Sequence, residues 1–425
     1  MRKTLSMALI GWLAAGICSL SLAQDSAGKT KRAAEGAPPG QHYDVFYQVH
    51  VPMFADLVVG KIQELANKEL GHRKSGESEG EFENRKQLGE AMTGWVTRAV
   101  KDLDRLSLGW GLDRQAGQSH LDLTVTALAG TSLAGRFAAT GEVKTSFAGF
   151  RLPGAALIAH GTARNPQGEA SALAKVVQAA RDREIKKIDK ESVSEDEKSL
   201  RKDLVNKLFD VARDTVASGR RDFGMSLVLS PKKVTLVSGA YVADAGKLES
   251  VFKTLGGFLQ ASNPAFSSLA LDVEKYEGVN FHTLLFPPPE GSVREKFVEM
   301  FGESLEVVIG FGKEGLYVAG GKDAMKSLKE AIQKSATPAK PEPPLEISIA
   351  LKPVADFIAV VGQEQVKGPA GQVAELLRAS GGKDHLRLTA KPVPSGVILR
   401  LDAEEGLLKV ISAVSPPARE FLKLK

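Results

Sequence analysis

The chain has 425 residues, with 56 lysines and arginines against 51 aspartates and glutamates and a formal net charge of +5. This near balance excludes a nucleic-acid-binding function argued from charge, because such proteins concentrate basic residues in a patch or stripe. At 43% hydrophobic and 25% charged residues, the composition is that of an average soluble globular protein. The length predicts two or three domains.

The first 23 residues have the pattern of a secretory signal peptide. Arg2 and Lys3 precede a short apolar stretch from Met7 to Leu22, and Ala23 follows with small-residue spacing typical of signal peptidase sites. The apolar stretch is short for a membrane span, which needs about 20 residues. We therefore expect export to the periplasm or medium, with an uncleaved anchor as the alternative and no transmembrane segment after cleavage.

Cysteine chemistry is excluded from the exported chain. Cys18 is the only cysteine and lies inside the predicted signal, preceded by Ile17 rather than by the small residue of a lipid-attachment site. The exported chain would therefore have no disulfide and no thiolate. A chain of this length can bury ordinary hydrophobic cores instead.

Composition predicts the domain boundaries. The polar stretch 24–40 reads as a disordered leader, and the linker 335–344 contains four prolines in ten residues. A polar stretch from Gly71 to Glu83 reads as a loop. The predicted organisation is as follows: signal peptide 1–23, leader 24–40, N-terminal α+β domain 41–167, helical hairpin insertion 168–218, central domain 219–334, linker 335–344 and C-terminal α+β unit 345–425.

A supersecondary pattern of two strands, a short turn and a helix recurs between these boundaries. The segment from His120 to Thr126 alternates polar and apolar residues, as a strand with one solvated face does. Turns are predicted at Pro153-Gly154, Pro231, Glu277-Gly278 and Pro394. Short turns require antiparallel pairing. The sequence therefore predicts an α+β fold of repeated ββα units, with antiparallel sheets and helices on one face.

The segment from Gly168 to Ser218 departs from this pattern and predicts two long charged helices. Leucines and valines recur at helical spacing in both halves, and Ser194 with Glu197 forms a predicted capping box. The hairpin is either a solvated spacer or a partner-binding arm.

Two glycine motifs resemble phosphate-binding loops but lack the required context. Gly310-Phe-Gly312-Lys-Glu-Gly315 matches G-x-G-x-x-G, yet a strand-like Leu-Tyr-Val-Ala follows where a dinucleotide fingerprint opens a helix. Gly320-Gly321-Lys322 lacks the hydroxyl residue of a P-loop, since Asp323 stands in that place and is expected to cap the next helix. We therefore predict a hairpin turn, a strand-to-helix joint and no cofactor.

No catalytic or metal signature is complete. Four Ser-x-x-Lys matches occur without the accompanying motifs of serine acyl enzymes. The seven histidines form no H-E-x-x-H or H-x-H pair, and no cysteine is available to complete a zinc site. We predict no catalytic residue and no metal ligand. As candidate binding residues we name Trp110, the one credible aromatic platform for a sugar, together with His160 and His282, two histidines in apolar strands.

Three C-terminal segments carry a resemblance to a known group of proteins. They are "EGVNFHTLLFPPPEG", "LEVVIGFGKEGLYVAGGKDAMKSLKEAI" and "LRLTAKPVPSGVILRLDAEEGLLKVI". They resemble stretches of large, uncharacterised secreted proteins of planctomycete-type bacteria, over roughly the last third of the chain. That group has no assigned activity, so the resemblance implies bacterial export and transfers no functional residue.

These observations favour a non-enzymatic exported binding or scaffold protein of the bacterial cell envelope. Its partner is an unknown protein, lipid or envelope component, and no nucleic acid. Two alternatives stay open, namely a divergent envelope hydrolase whose site is assembled from distant residues and a lipid-binding carrier. A cleft with converging carboxylates would favour the hydrolase, whereas an exposed apolar patch or tunnel would favour binding.

Overall fold

The computed structural model describes residues 43–140, 144–262, 266–291, 294–336, 342–362 and 364–415. The predicted signal and leader, and residues 337–341 of the predicted linker, lie outside these ranges. Within them, thirteen strands form one antiparallel sheet. The strands are β1 Val45–His50, β2 Leu103–Asp113, β3 Gln118–Ala127, β4 Leu157–Arg164, β5 Arg220–Ser230, β6 Lys233–Tyr241, β7 Ala270–Tyr276, β8 Val279–Phe286, β9 Leu305–Phe311, β10 Gly315–Gly321, β11 Leu345–Ala350, β12 His385–Val393 and β13 Gly396–Ala403.

Eleven α-helices lie in the described ranges. They are α1 Ala55–Leu70, α2 Glu79–Asp102, α3 Ser132–Thr140, α4 Gln167–Asp189, α5 Glu195–Ala217, α6 Ala245–Ser262, α7 Arg294–Phe301, α8 Ala324–Ser335, α9 Leu351–Val361, α10 Glu364–Arg378 and α11 Glu405–Val414. Short 3-10 helices cover Val51–Met53 and Ala148–Phe150. None of the described helices is long and apolar enough to cross a membrane. The α+β class with antiparallel strands is confirmed.

The strand order differs from the chain order. It runs β1-β2-β3-β13-β12-β11-β4-β5-β6-β10-β9-β8-β7, so the three C-terminal strands lie between β3 and β4. The three predicted α+β segments therefore all contribute strands to the same sheet. The hairpin β9–β10 closes at the G-x-G-x-x-G segment, where the Gly312 N–H donates to the Gly315 carbonyl at 2.9 Å. The predicted turn is confirmed there.

One layout of elements occurs three times in the chain. A strand, two helices, a hairpin and a helix follow one another in β1-α1-α2-β2-β3-α3, in β4-α4-α5-β5-β6-α6 and in β11-α9-α10-β12-β13-α11. The two helices predicted over 168–218 are present as α4 and α5. They correspond in position to α1–α2 and α9–α10, so this pair belongs to the regular layout instead of departing from it. Duplication of ββα units stays a prediction.

Two local expectations need correction and a third is confirmed. The segment before Pro153-Gly154 forms the 3-10 helix Ala148–Phe150 instead of a strand, so β4 has no hairpin partner there. Asp323 precedes α8 with a left-handed φ of 59° and makes no capping hydrogen bond, because its carboxylate instead binds Lys233 Nζ at 2.8 Å. Ser194 does cap α5, since the Glu197 N–H donates to its Oγ at 3.2 Å.

The pairing register separates the sheet into two faces. Residues directly opposite one another in register share a face. We call face 1 the side of the sheet that carries the row of residues from β3 to β8 given below. Face 2 is the opposite side, which carries the residues that alternate with this row along each strand, including Leu123 and His282. The face 1 row is Asp122, Arg400, Thr389, Glu346, His160, Gly224, Gly239, Tyr317, Gly310 and Phe281.

Helices pack on both faces of the sheet, whereas the sequence predicted one. On face 1, Leu328 of α8 is fully buried in a core with Phe281 and Phe150. The segment that carries Phe150 can lie this close because glycines face it: a Cβ on Gly239 would lie 2.6 Å from the Phe147 ring. On face 2, α6 packs its Phe252 ring 5.3 Å from the His282 ring. The central strands of this half, β6, β10 and β9, carry mainly apolar side chains on both faces, so both faces need a covering layer.

The α8 packing gives a stability prediction. Leu328→Ala should lower the free energy of unfolding by about 3 kcal/mol, because it leaves a cavity in the face 1 core. The measurement is urea denaturation followed by circular dichroism. Leu173→Ala on α4 is the matched control, since Leu173 is exposed; equal losses for both variants would contradict this account of the core.

Candidate functional site

Face 1 changes from apolar to polar between β5 and β3. Four charged or titratable side chains occupy the row there, namely Asp122 on β3, Arg400 on β13, Glu346 on β11 and His160 on β4. The neighbouring row adds Asp402 opposite Arg387. Acidic and basic groups alternate across the strands, which is a favourable cross-strand arrangement.

A buried ion pair anchors one end of this polar region. Arg400 donates from Nε and Nη2 to the two carboxylate oxygens of Asp122, each at 2.7 Å, and Tyr43 donates its hydroxyl to the same carboxylate at 2.6 Å. Asp122 is only 1% exposed. Burial raises the pKa of Asp122, but the hydrogen bonds from Arg400 and Tyr43 together bring the pKa below its usual value. The carboxylate therefore stays ionised inside the protein.

A second cluster surrounds His160. We call it the His160 cluster and define it as Arg151, His160, Glu342, Glu346 and Arg387. Arg151 Nη2 lies 2.9 Å from Glu346 Oε2 and 3.4 Å from Glu342 Oε2. His160 Nε2 lies 3.4 Å from Glu346 Oε2, and Arg387 Nε lies 3.6 Å from Glu346 Oε1. Glu346 is thus the common neighbour of two guanidinium groups and one imidazole.

The contacts of His160 fix its protonation. The Arg151 guanidinium is the closest contact of Nε2 and can only donate, so Nε2 accepts there, whereas Glu346 Oε2, which would need a proton on Nε2, lies farther away at 3.4 Å. The neutral ring therefore carries its proton on Nδ1, which is buried and has no hydrogen-bond partner in the described chain. Burial first, and then the Arg151 charge, lower the pKa of His160 to about 4. His160 is neutral at physiological pH.

His282 lies in a different network on face 2. The Asp272 N–H donates to His282 Nδ1 at 3.0 Å, and Nε2 lies 3.4 Å from Glu249 Oε1. Lys253 Nζ binds Glu249 at 2.7 Å and Asp272 at 2.6 Å, and the Asn280 amide donates to the same two carboxylates. Burial lowers the pKa of His282, so this ring is also neutral.

Glu249, Asp272 and His282 have ligand atoms within 4.8 Å of one another, which is a spacing that a metal site requires. Two contacts argue against a metal. The Lys253 ammonium already supplies a cation between the two carboxylates. Since His282 Nδ1 accepts the Asp272 N–H, the ring proton lies on Nε2, the atom that a metal would need deprotonated. The arrangement fits an ion-pair network.

Face 2 carries an exposed apolar surface at the other end of the sheet. We call it the apolar patch and define it as Val45 and Tyr47 of β1, Leu108 of β2, and Leu121 and Leu123 of β3. All five side chains are exposed, from 36% for Leu121 to 64% for Tyr47. Register places Val45 opposite Trp110, Tyr47 opposite Leu108, and Leu108 opposite Leu123. Trp110 therefore adjoins the patch, and its Nε1 donates to Ser119 Oγ at 2.9 Å.

The apolar surface continues onto the neighbouring strands. Leu399 of β13 lies opposite Leu123, and Leu388 of β12 and Ile347 of β11 follow on the same face, all half-buried. No acidic or basic residue occupies a face 2 position of β1, β3, β13, β12 or β11. The inner side of an open sheet normally has this composition and is covered by another layer.

The three residues named from the sequence lie apart. Trp110 is on face 2 of β2, His160 is on face 1 of β4, and His282 is on face 2 of β8, five strand positions from β4. The sequence did not indicate Arg151, Glu342 and Glu346, which surround His160. Glu342 and Glu346 lie on either side of the end of the proline-rich linker, and no pattern in the sequence singled them out.

Comparisons with known proteins add no assignment. No protein-family model, curated protein or solved structure matches the chain.

The anchoring ion pair gives a mutational prediction. Arg400→Gln should lower the free energy of unfolding by about 3–5 kcal/mol, because it leaves the Asp122 carboxylate buried without its cation. Chemical denaturation measures the loss. The matched control is Arg105→Gln, whose guanidinium pairs with Asp104 at 3.0 Å but is half exposed; that pair should contribute less than about 1 kcal/mol. A loss below that value for Arg400→Gln would contradict the anchoring role.

The lowered pKa of His160 predicts a pH dependence. The unfolded chain binds a proton near pH 6.5 and the folded chain only near pH 4, so His160 destabilises the fold progressively as pH falls between these values. The full contribution is about 3 kcal/mol, from a shift of about 2.5 pKa units. Denaturation midpoints of the wild type and His160→Gln across this range measure it, and the variant should show the shallower slope.

The control for this prediction is His50→Gln, since the His50 side chain is half exposed.

Burial raises the pKa of Glu342, which gives stability below pH 4.5 that is lost as pH rises and so opposes the His160 slope. The difference between the wild type and His160→Gln removes this background. If stability changes with pH at the same slope in the wild type and in His160→Gln, a buried neutral His160 is ruled out.

Proposed function

We propose that the chain is an exported, non-enzymatic scaffold protein of the bacterial cell envelope that binds a protein partner through the apolar patch. One observation carries the proposal: five large apolar side chains on adjacent strands of one sheet face are exposed together. Contiguous exposed apolar surface on a soluble protein marks an interaction site. The predicted signal peptide supports the location.

The partner that best fits the patch is a second copy of this chain. A sheet face is broad and gently twisted, so its natural complement is another sheet face, packed about 10 Å away. Two identical patches related by a two-fold axis are self-complementary. A lipid or small molecule is normally held in a concave pocket instead.

Size and charge both agree with self-association. Six strands are neighbours at this end of the sheet, namely β1, β2, β3, β13, β12 and β11. At about 4.8 Å between strands and about six paired residues along each strand, their face 2 presents about 600 Å² of projected area. Stable interfaces bury about 600–1,000 Å² per partner. The face 2 positions of these strands lack like charges that would repel a second copy, and the net charge of +5 is small for 425 residues.

The edges of the sheet differ in a way that supports this assignment. The outer strand β7 carries Asp272, Glu274 and Lys275 and an irregular register, features that prevent edge pairing. The other outer strand, β1, reads "VFYQVH" and pairs regularly with β2 along its length. The end of the sheet that lacks these protective features is the end that carries the apolar patch.

Leu108→Asp is the test of the proposal. Analytical ultracentrifugation of the wild type should show a dimer, and a charge at the centre of the patch should weaken dimerisation by at least a hundredfold. Leu173→Asp is the matched control, because Leu173 is an equally exposed leucine on α4, and it should leave the dimer intact.

Two results would overturn the proposal. The first is a wild-type protein that stays monomeric at high micromolar concentration. The second is a dimer that Leu173→Asp disrupts as strongly as Leu108→Asp does. If monomeric wild type also carries bound lipid by native mass spectrometry, while Leu108→Asp does not, the patch serves a lipid carrier instead.

A further inference from the structure

The His160 cluster concentrates unsatisfied polar atoms. Eight buried side-chain nitrogen or oxygen atoms of the described chain have no hydrogen-bond partner, and five of them lie on or beside this cluster. They are Arg151 Nε, His160 Nδ1, Thr162 Oγ1, Glu342 Oε2 and Arg387 Nε. Glu342 Oε2 and Arg387 Nε make only ion-pair contacts, at 3.4 Å to Arg151 Nη2 and 3.6 Å to Glu346 Oε1. A buried polar atom without a partner costs about 1–3 kcal/mol, so such a concentration in one place calls for a missing partner.

Most of these atoms are donors. Arg151 Nε and Arg387 Nε carry hydrogens at every physiological pH, and His160 Nδ1 carries the ring proton because Nε2 accepts from Arg151. The Thr162 hydroxyl can also donate. His160 and Thr162 are 2% and 5% exposed, so neither can obtain a partner from bulk water.

Both guanidinium groups keep N–H donors that the two carboxylates of the cluster do not use. Glu346 is shared between Arg151 and Arg387, so one carboxylate faces two guanidinium groups. Glu342 is the second carboxylate, and burial raises its pKa, which favours the neutral form. The Arg387 side chain is 40% exposed and Arg151 is 28% exposed, so a small solute can reach the guanidinium groups from solvent.

We propose that the His160 cluster binds a small oxyanion, a carboxylate or a phosphate, between the Arg151 and Arg387 guanidinium groups. Paired guanidinium donors match the planar carboxylate and the phosphate oxygens. His160 acts as a positioning residue, because its Nε2 holds the Arg151 guanidinium in place. This site lies on face 1 and does not depend on dimerisation through face 2.

Isothermal titration calorimetry of the full chain tests the site with two separate probes, inorganic phosphate and acetate. The wild type should bind at least one of them saturably at millimolar concentration or below, and the tighter probe identifies the source of the oxyanion. Arg387→Gln should weaken that binding at least tenfold. Arg105→Gln, which removes an arginine on the same face outside the cluster, should leave it unchanged.

A second variant distinguishes the loss of a binding group from a folding defect. Arg387→Lys keeps the charge but removes the Nε donor, so it should also weaken binding several-fold while retaining the wild-type circular dichroism spectrum. The absence of saturable binding of both probes to the wild type would overturn the proposal and leave water as the partner of these atoms. Equal affinities in the wild type and Arg387→Lys would overturn it as well, since attraction by net charge alone needs no built site.

Discussion

The alternation of side chains along thirteen antiparallel strands is the constraint on which the rest of the structure depends. Each residue in register with its neighbours faces the same side, and a slip by one residue would exchange the two faces. The row from Asp122 to Phe281 stays continuous across ten strands. This single register keeps the Asp122–Arg400 pair and the His160 cluster on face 1 and the apolar patch on face 2.

The two halves of the sheet differ in what covers their faces. Between β6 and β8, helices α8 and α6 cover the two faces, and the core around Phe281 and Leu328 is fully buried. Between β1 and β4 in the order of the sheet, face 1 is polar, and ion pairs among its own side chains satisfy part of its hydrogen-bonding groups. Face 2 there is apolar and half exposed, and this incomplete layer is the physical reason for the binding function that we propose.

Local features of the fold could be predicted from the sequence. The alternation from His120 to Thr126, the glycine turn between β9 and β10 and the helices over 168–218 each depend on residues close together in the chain. These signals are set by turn chemistry and side-chain periodicity. The 3-10 helix at Ala148–Phe150 is an exception, because tertiary packing of two phenylalanines against Gly224 and Gly239 overrides the local strand preference.

The sheet order and the candidate sites could not be predicted in this way. Strands β11 to β13 lie between β3 and β4, a placement that no local signal encodes. His160 meets Glu346 across 186 residues of sequence, and Asp122 meets Arg400 across 278. Single-sequence patterns mark His160 as a histidine in a strand, but only the register shows that it lies opposite Glu346. The side of the sheet that stays uncovered likewise emerges only from the assembled fold.

The site geometry also bears on the alternative functions. In the His160 cluster, Arg151 engages both Glu342 and Glu346, so the converging carboxylates are held by a guanidinium instead of facing an open cleft. A lipid carrier would use the apolar patch, but a sheet face provides no enclosed space for an acyl chain.

Hydroxyl-radical footprinting of the wild-type protein at low and high concentration tests the central claim most directly, because it reports the exposure of individual side chains. Modification of Tyr47, Leu108 and Leu123 should fall several-fold at high concentration, whereas modification of Leu173, exposed elsewhere, should stay constant. Equal modification of the three patch residues at both concentrations, in protein free of bound lipid, would contradict the assignment of this face as the binding surface.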